Sequence, residues 1–236
     1  SIFNRIGIKA QETMLGTYTV KGKVKTVCAC RDFTADGKRL FDFCSIKNTI
    51  LDSDTRGSGT ELEDVMDTLD KQQFVSPVLL REHFWNVFIA DALLGNFDRH
   101  NGNWGFLYDE KTGVTEIAPV FDCGSCLLPQ ADEKIMKAVL SDEKERNARV
   151  FQFPTSATKQ NGHKINYYDF LIHAQNADCN AALKRIVPGI NREEIRQFID
   201  KTEGISDLQK EFYKCYIDAR YELIIKPAFE IAAAII

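Results

Sequence analysis

Apolar residues at Leu80, Phe84, Val87, Phe88 and Leu94 recur at three- and four-residue steps, the period of one face of an α-helix. Ser76-Pro77 stands ahead of them as an N-cap and a first-turn proline, which predicts a long helix ending near Leu94. Asp91 shares the apolar face, where a carboxylate is costly unless paired. Arg99 and His100 follow closely, so Asp91 reads either as a brace for the next loop or as a solvated residue at the rim of the stripe. Ser1–Ile8 reads as the end of a helix. Met14–Val20 and Lys23–Phe33 are rich in β-branched and aromatic residues about Lys21-Gly22 and predict a hairpin. A second hairpin is predicted from Trp104–Tyr108 and Val114–Val120, turned by Glu110-Lys111-Thr112-Gly113. Between these features lie a polar, glycine-bearing surface loop, Asp52–Thr60, and a short acidic helix, Glu61–Asp70. The remainder reads as mostly helical: Tyr167–Gln175, Asn191–Thr202, and Ser206 to the end, with Pro227 expected to kink or break the last helix.

The chemistry concentrates in Gly95–Asn103, GNFDRHNGN, and in Phe121-Asp122-Cys123-Gly124. Asp98 and Asn103 stand five residues apart, and Asp122 follows Asp98 by 24. Kinase-type phosphoryl transfer needs a carboxylate at the acceptor hydroxyl, then an amide oxygen and a second carboxylate to hold Mg²⁺ on the phosphates. The predicted hairpin sets Asn103 before one strand and Asp122 after the other, so the two can converge on one metal site. Each residue alone has a plainer reading. Asp98-Arg99-His100 suits a salt-bridged turn, Asn103 a strand end, and Asp-x-Gly a common turn. Their joint spacing favours the site.

The stretch Asp91–Pro129 resembles the core of the HipA-type bacterial serine/threonine kinases. Asn96, Asp98, His100 and Asn103 fall on that family's Asn-x-Asp-x-His-x-x-Asn loop, and Pro119, Phe121 and Asp122 on its later Pro-x-Phe/Tyr-Asp motif. The Asp-Arg-His-Asn-Gly-Asn core is also similar to the catalytic loop of phosphoinositide 3- and 4-kinases, but Ala118-Pro119 and the longer hairpin favour the HipA side. The resemblance implies an α+β, protein-kinase-like fold with a mainly α large lobe, small β hairpins and a truncated small lobe. Residues 1–33 would be a remnant of the small lobe and hinge, and 34–236 the helical lobe. It implies ATP and Mg²⁺ as cofactors, Asp98 as the catalytic carboxylate, and Asn103 and Asp122 as metal and cofactor ligands. Arg31-Asp32-Phe33 would be the hinge on which adenine rests, so Asp32 and Phe33 join the cofactor site. His100 stands where protein kinases commonly carry a Lys; it either donates to the transferred phosphate or bonds within the loop.

Composition narrows the alternatives. With 236 residues, 44% of them hydrophobic, the chain can bury one sizeable core. Net charge is −4, so no global basic field recruits nucleic acid or an anionic membrane. Seven cysteines form no evident disulfide framework, and with no signal or twenty-residue apolar run the simplest location is cytoplasmic. Cys28, Cys30, Cys123 and Cys126 tempt a zinc reading, but buried free thiols are favoured. Ile231–Ile236 is too short for a membrane span. Phe153–Lys164 is read as a polar loop in which Ser156, Lys159 and Lys164 could meet substrate or phosphates, against the plainer reading of a solvated loop. The phosphate-covering loop and phosphate-pairing Lys of a small lobe are expected upstream of Ser1, so the chain reads as the C-terminal part of the enzyme and is expected to bind and turn over Mg²⁺–ATP poorly alone. The expected partners are a protein substrate and an antitoxin-like protein or upstream small lobe. A lipid kinase and a nucleotide-binding or interaction module without turnover remain as alternatives.

Overall fold

The computed structural model describes residues 1–35, 37–51 and 55–235. At its centre is the predicted long helix, α4 (Pro77–Leu94). Its first turns show the expected one-sided burial, but from Val87 onward every residue is buried. The single apolar face therefore understates its surroundings. Helices α3 (Leu62–Lys71), α8 (Ala177–Ile186) and α10 (Asp207–Arg220) enclose it, and a helix packed on several sides must be apolar on several sides. Ser76 makes no side-chain cap, so Pro77 is the start signal that operates.

Gly95 ends α4 in the left-handed region, φ +64°, with its N–H on the Asp91 carbonyl. A Cβ there would lie 2.0 Å from the Tyr216 hydroxyl of α10, so both conformation and space demand glycine. Gly95→Ala is expected to cost roughly 2–3 kcal/mol of stability, combining backbone strain with overpacking. Chemical denaturation of the two proteins checks this.

Strands β1 (Thr13–Val20) and β2 (Lys23–Cys30) form the first predicted hairpin, turned at Lys21 and Gly22, both at positive φ. Positive φ at both turn residues matches the twist of a two-residue hairpin. Both strands are exposed along their whole length, Met14, Tyr18 and Val24 included. Their β-branched and aromatic content marks strand propensity, and among the described residues no second layer covers them. The second hairpin, β4 (Gly105–Asp109) and β5 (Thr115–Ile117), gains an unforeseen partner in β3 (Lys38–Asp42), giving the antiparallel order β3-β4-β5. The charges of β3 hid it; they pair outward, Lys38 with Glu116 and Arg39 with Glu110. Gly105 lets β4 pass close to β3, since a Cβ there would sit 2.1 Å from the Phe41 carbonyl oxygen.

One helical turn, α1 (Ile2–Arg5), opens the chain, and α2 (Phe43–Leu51) follows β3 directly. Helices α5 (Glu133–Ser141) and α6 (Glu143–Phe151) were unforeseen; Asp132 and Asp142 cap them. The segments predicted at 167–175 and 191–202 appear as α7 (Tyr167–His173) and α9 (Arg192–Asp200), each capped by an Asn side chain. Pro227 does not break the last helix. A π-helical turn, Tyr221–Ile225, joins α10 to α11 (Lys226–Ala234), and the widened turn accommodates a proline that cannot donate back.

The predicted loop at 153–164 is partly a small hairpin, β6 (Lys159–Gln160) with β7 (His163–Lys164). Of the predicted loop at 52–60, residues 52–54 lie outside the described residues.

Candidate active site

The site grows from the C-terminus of α4. Asp91, on the last turn, is 1% exposed, and its two oxygens meet Arg99 Nε at 3.0 Å and Nη2 at 3.2 Å. Asn96 Nδ2 donates to the same carboxylate at 2.8 Å. Asp91 is thus the brace of the two readings the sequence left open. Burial works against the charged guanidinium of Arg99, and the ion pair and hydrogen bonds with Asp91 more than offset it, holding its pKa above the usual value. Tyr167 donates to the Asn96 carbonyl at 2.7 Å, fixing the loop to α7 from beneath.

Asp98 stands exposed at the crest of this loop, with its N–H on Asn96 Oδ1 at 3.1 Å. Its carbonyl accepts from the His100 N–H and from Asn103 Nδ2, both at 2.8 Å. A carbonyl can only accept, so the amide orientation of Asn103 is determined, and Oδ1 is the atom left for a cation. Asn103 is otherwise buried, at 6% exposure. His100 is exposed, and its Nδ1 accepts from the Gly102 N–H at 3.0 Å. In the neutral ring the proton then sits on Nε2, which becomes the available donor.

Asp122 is exposed and adopts φ +48°, a conformation Asp tolerates better than most residues. The carbonyl before it, Phe121, accepts from Arg99 Nη1 at 2.6 Å, and the same nitrogen reaches the Asn103 carbonyl at 3.0 Å. The two ends of the second hairpin are therefore tied together through one nitrogen.

Residues following β2 reach the same loop. The Phe33 and Phe121 rings lie 5.7 Å apart. The Asp32 carboxylate turns into its own loop, accepting from the Thr34 N–H at 2.8 Å and hydroxyl at 2.6 Å. Both bonds fall on Oδ1, and they lower its pKa.

Cys28 and Cys30 share one face of β2 and are exposed, against the expectation of buried thiols. Cys123 is held down to about 7, first by a hydrogen bond with Cys126 and then by the Arg99 guanidinium, with burial opposing. Among the described residues no group of three or more His, Cys, Asp or Glu side chains is placed to hold a metal.

Ser156 is buried and its hydroxyl accepts from the Thr158 N–H, so it fits neither the substrate-facing nor the solvated-loop reading. Lys159 hydrogen-bonds through its backbone to Thr60, while Lys164 is exposed.

Sequence reasoning missed Lys47 and Asn101. Asn101 Nδ2 donates to the Gly57 and Gly59 carbonyls at 2.7 and 2.8 Å, joining the loop after α4 to the loop before α3. Lys47, fully buried on α2, donates to the Gly59 carbonyl at 2.6 Å. No local pattern marks either residue. Lys47→Met should lower stability by roughly 1–3 kcal/mol through loss of a charge-assisted bond, read as a reduced thermal midpoint.

The helical body with its short antiparallel sheet, and the braced loop between α4 and β4, have the form of a protein-kinase-like fold. The model of the HipA-like C-terminal domain matches residues 2–203, and the chain belongs to that family. It is 49% identical over 228 residues to the serine/threonine-protein kinase CtkA of Helicobacter pylori strain J99, covering 96% of this chain and 69% of the relative. The crystal structure of the H. pylori proinflammatory kinase CtkA superposes with a TM-score of 0.94 at 48% identity, over 98% of this chain and 83% of that one. HipA of Shewanella oneidensis MR-1, solved with HipB and operator DNA, matches in fold alone: TM-score 0.56 at 14% identity, over 100% of this chain and 56% of that one.

Proposed function

We propose that this chain catalyses ATP- and Mg²⁺-dependent phosphoryl transfer to a serine or threonine hydroxyl of a protein. The observation that supports the reading is the Asp91–Arg99 pair, which ties the Asn103 carbonyl to the carbonyl preceding Asp122, in a chain 49% identical to a serine/threonine-protein kinase. Asp98 orients the acceptor hydroxyl and takes its proton; its exposure and fixed backbone suit that role. His100 offers its Nε2 proton to the anion being transferred. Asn103 Oδ1 and the Asp122 carboxylate are two hard oxygen ligands of the kind Mg²⁺ takes when phosphates and water complete its shell. Mg²⁺, when bound, neutralises charge on the phosphates. The segment 31–33 supplies the adenine contact through its backbone and the Phe33 ring. In this reading residues 1–33 belong with the small lobe and 34–236 form the large one.

Among the described residues no helix is long and apolar enough to cross a membrane. A HipB-like partner is not carried over from the Shewanella complex, because that likeness extends to the fold. The test offers γ-labelled ATP with protein acceptors and, separately, phosphoinositide vesicles. Label on protein Ser or Thr is expected. Label on lipid, or nucleotide binding without transfer, would replace this reading by one of its alternatives.

A further inference from the structure

A single side chain spans the two halves of the site. Arg99 is 8% exposed, and besides a 3.6 Å contact of Nη2 with Cys123 Sγ its guanidinium makes two kinds of contact. Nε and Nη2 close on the Asp91 carboxylate, while Nη1 donates to the carbonyls of Asn103 and Phe121. One of those carbonyls belongs to Asn103 itself, and the other to the peptide unit that leads into Asp122. Pinning the Phe121 carbonyl fixes the plane of the 121–122 peptide. That plane is one of the two that define φ at Asp122, which sits at +48°. The same nitrogen therefore restrains the backbone beneath both oxygen ligands.

We propose that Arg99 is a positioning residue that sets the separation and orientation of Asn103 and Asp122 as cation ligands. The identity of the cation rests on the phosphoryl-transfer reading above. Charge does not drive the effect, since Asp91 compensates the guanidinium within the pair. Geometry does. Guanidinium is planar and rigid, and it presents donors toward Asp91 and toward the two carbonyls from one fixed fork. A lysine ammonium could still meet Asp91, but it is a point charge on a flexible stem and could not hold both carbonyls in that plane.

Two substitutions separate positioning from plain stability, because they rank oppositely in the two measurements. Arg99→Lys keeps the buried charge pair and loses the fork. Asp91→Asn keeps the fork and leaves a buried guanidinium without its counter-charge, the more damaging change for folding. Mn²⁺ titrated into the protein–nucleotide complex and followed by electron paramagnetic resonance reads cation affinity without turnover. Thermal unfolding and steady-state transfer accompany it.

Arg99→Lys is expected to weaken Mn²⁺ binding at least about tenfold and to lower kcat by a similar factor, with KM for the protein acceptor nearly unchanged. Its unfolding midpoint should stay closer to wild type than that of Asp91→Asn, which should retain the stronger Mn²⁺ affinity. Wild-type Mn²⁺ affinity in Arg99→Lys would overturn the proposal. So would cation affinity that follows the unfolding midpoint across the two variants, or an Arg99→Lys protein that does not fold at all. If Asp91→Asn does not fold, the Mn²⁺ affinity of Arg99→Lys measured below its own midpoint decides. A wild-type protein that binds Mn²⁺–nucleotide yet transfers no phosphate would sink the kinase reading, and the binding data would still judge Arg99.

Discussion

Asp122→Asn is expected to abolish phosphoryl transfer, with a fall of at least about 10³-fold in kcat/KM, while the unfolding midpoint stays near wild type. The side chain is exposed, so its replacement by an isostere opens no cavity and breaks no packed contact. Asn also tolerates the left-handed φ of +48°. What changes is the ligand: a hard anionic oxygen becomes a neutral amide, and the charge that holds the cation against the phosphates is lost. Steady-state transfer beside a thermal melt checks both halves of the expectation. A folded Asp122→Asn protein with near-wild-type turnover would remove the assignment of this residue.

Asp98→Ala separates chemistry from binding. Loss of the carboxylate should lower the transfer rate by about 10²–10⁴-fold, the usual worth of a positioned base, while ATP affinity changes by no more than a few fold. The reason is positional. Asp98 is exposed at the crest of the loop, and its own carbonyl and N–H, rather than its carboxylate, hold the neighbouring residues in place. Removing the side chain therefore leaves the Asn103 amide oriented. Nucleotide titration and single-turnover transfer measure the two quantities separately. Joint loss of ATP binding and catalysis would make Asp98 a nucleotide-binding or structural residue.

The chain's own text determined the features that depend on neighbours in sequence. Pro77 and Gly95 delimit α4 because one restricts φ at a helix start and the other adopts positive φ at its end. The β1–β2 hairpin was legible from its residues and its two-residue turn, as was the spacing of Asp98, Asn103 and Asp122 around a second hairpin. These rest on backbone preference and short-range periodicity, which operate within a few residues.

Tertiary structure decided what depends on distant partners. Asp91 was ambiguous until the fold placed Arg99 against it and, through Arg99, tied the Asn103 and Phe121 carbonyls together. Strand β3 was hidden by its charges until β4 lay beside it. Lys47 and Asn101 carry no local signature, because their partners, the Gly57 and Gly59 carbonyls, lie a dozen to more than forty residues away. Ser156 read as a hydroxyl of a polar, solvent-facing loop and is turned inward by contacts with Thr158 and Ile165. The exposure of β1 and β2 likewise follows from the lack of a covering layer among the described residues, which their own residues do not reveal. Sequence periodicity records that a face wants burial; only packing assigns the partner, because a hydrogen bond or ion pair needs atoms within about 3 Å whatever their separation along the chain.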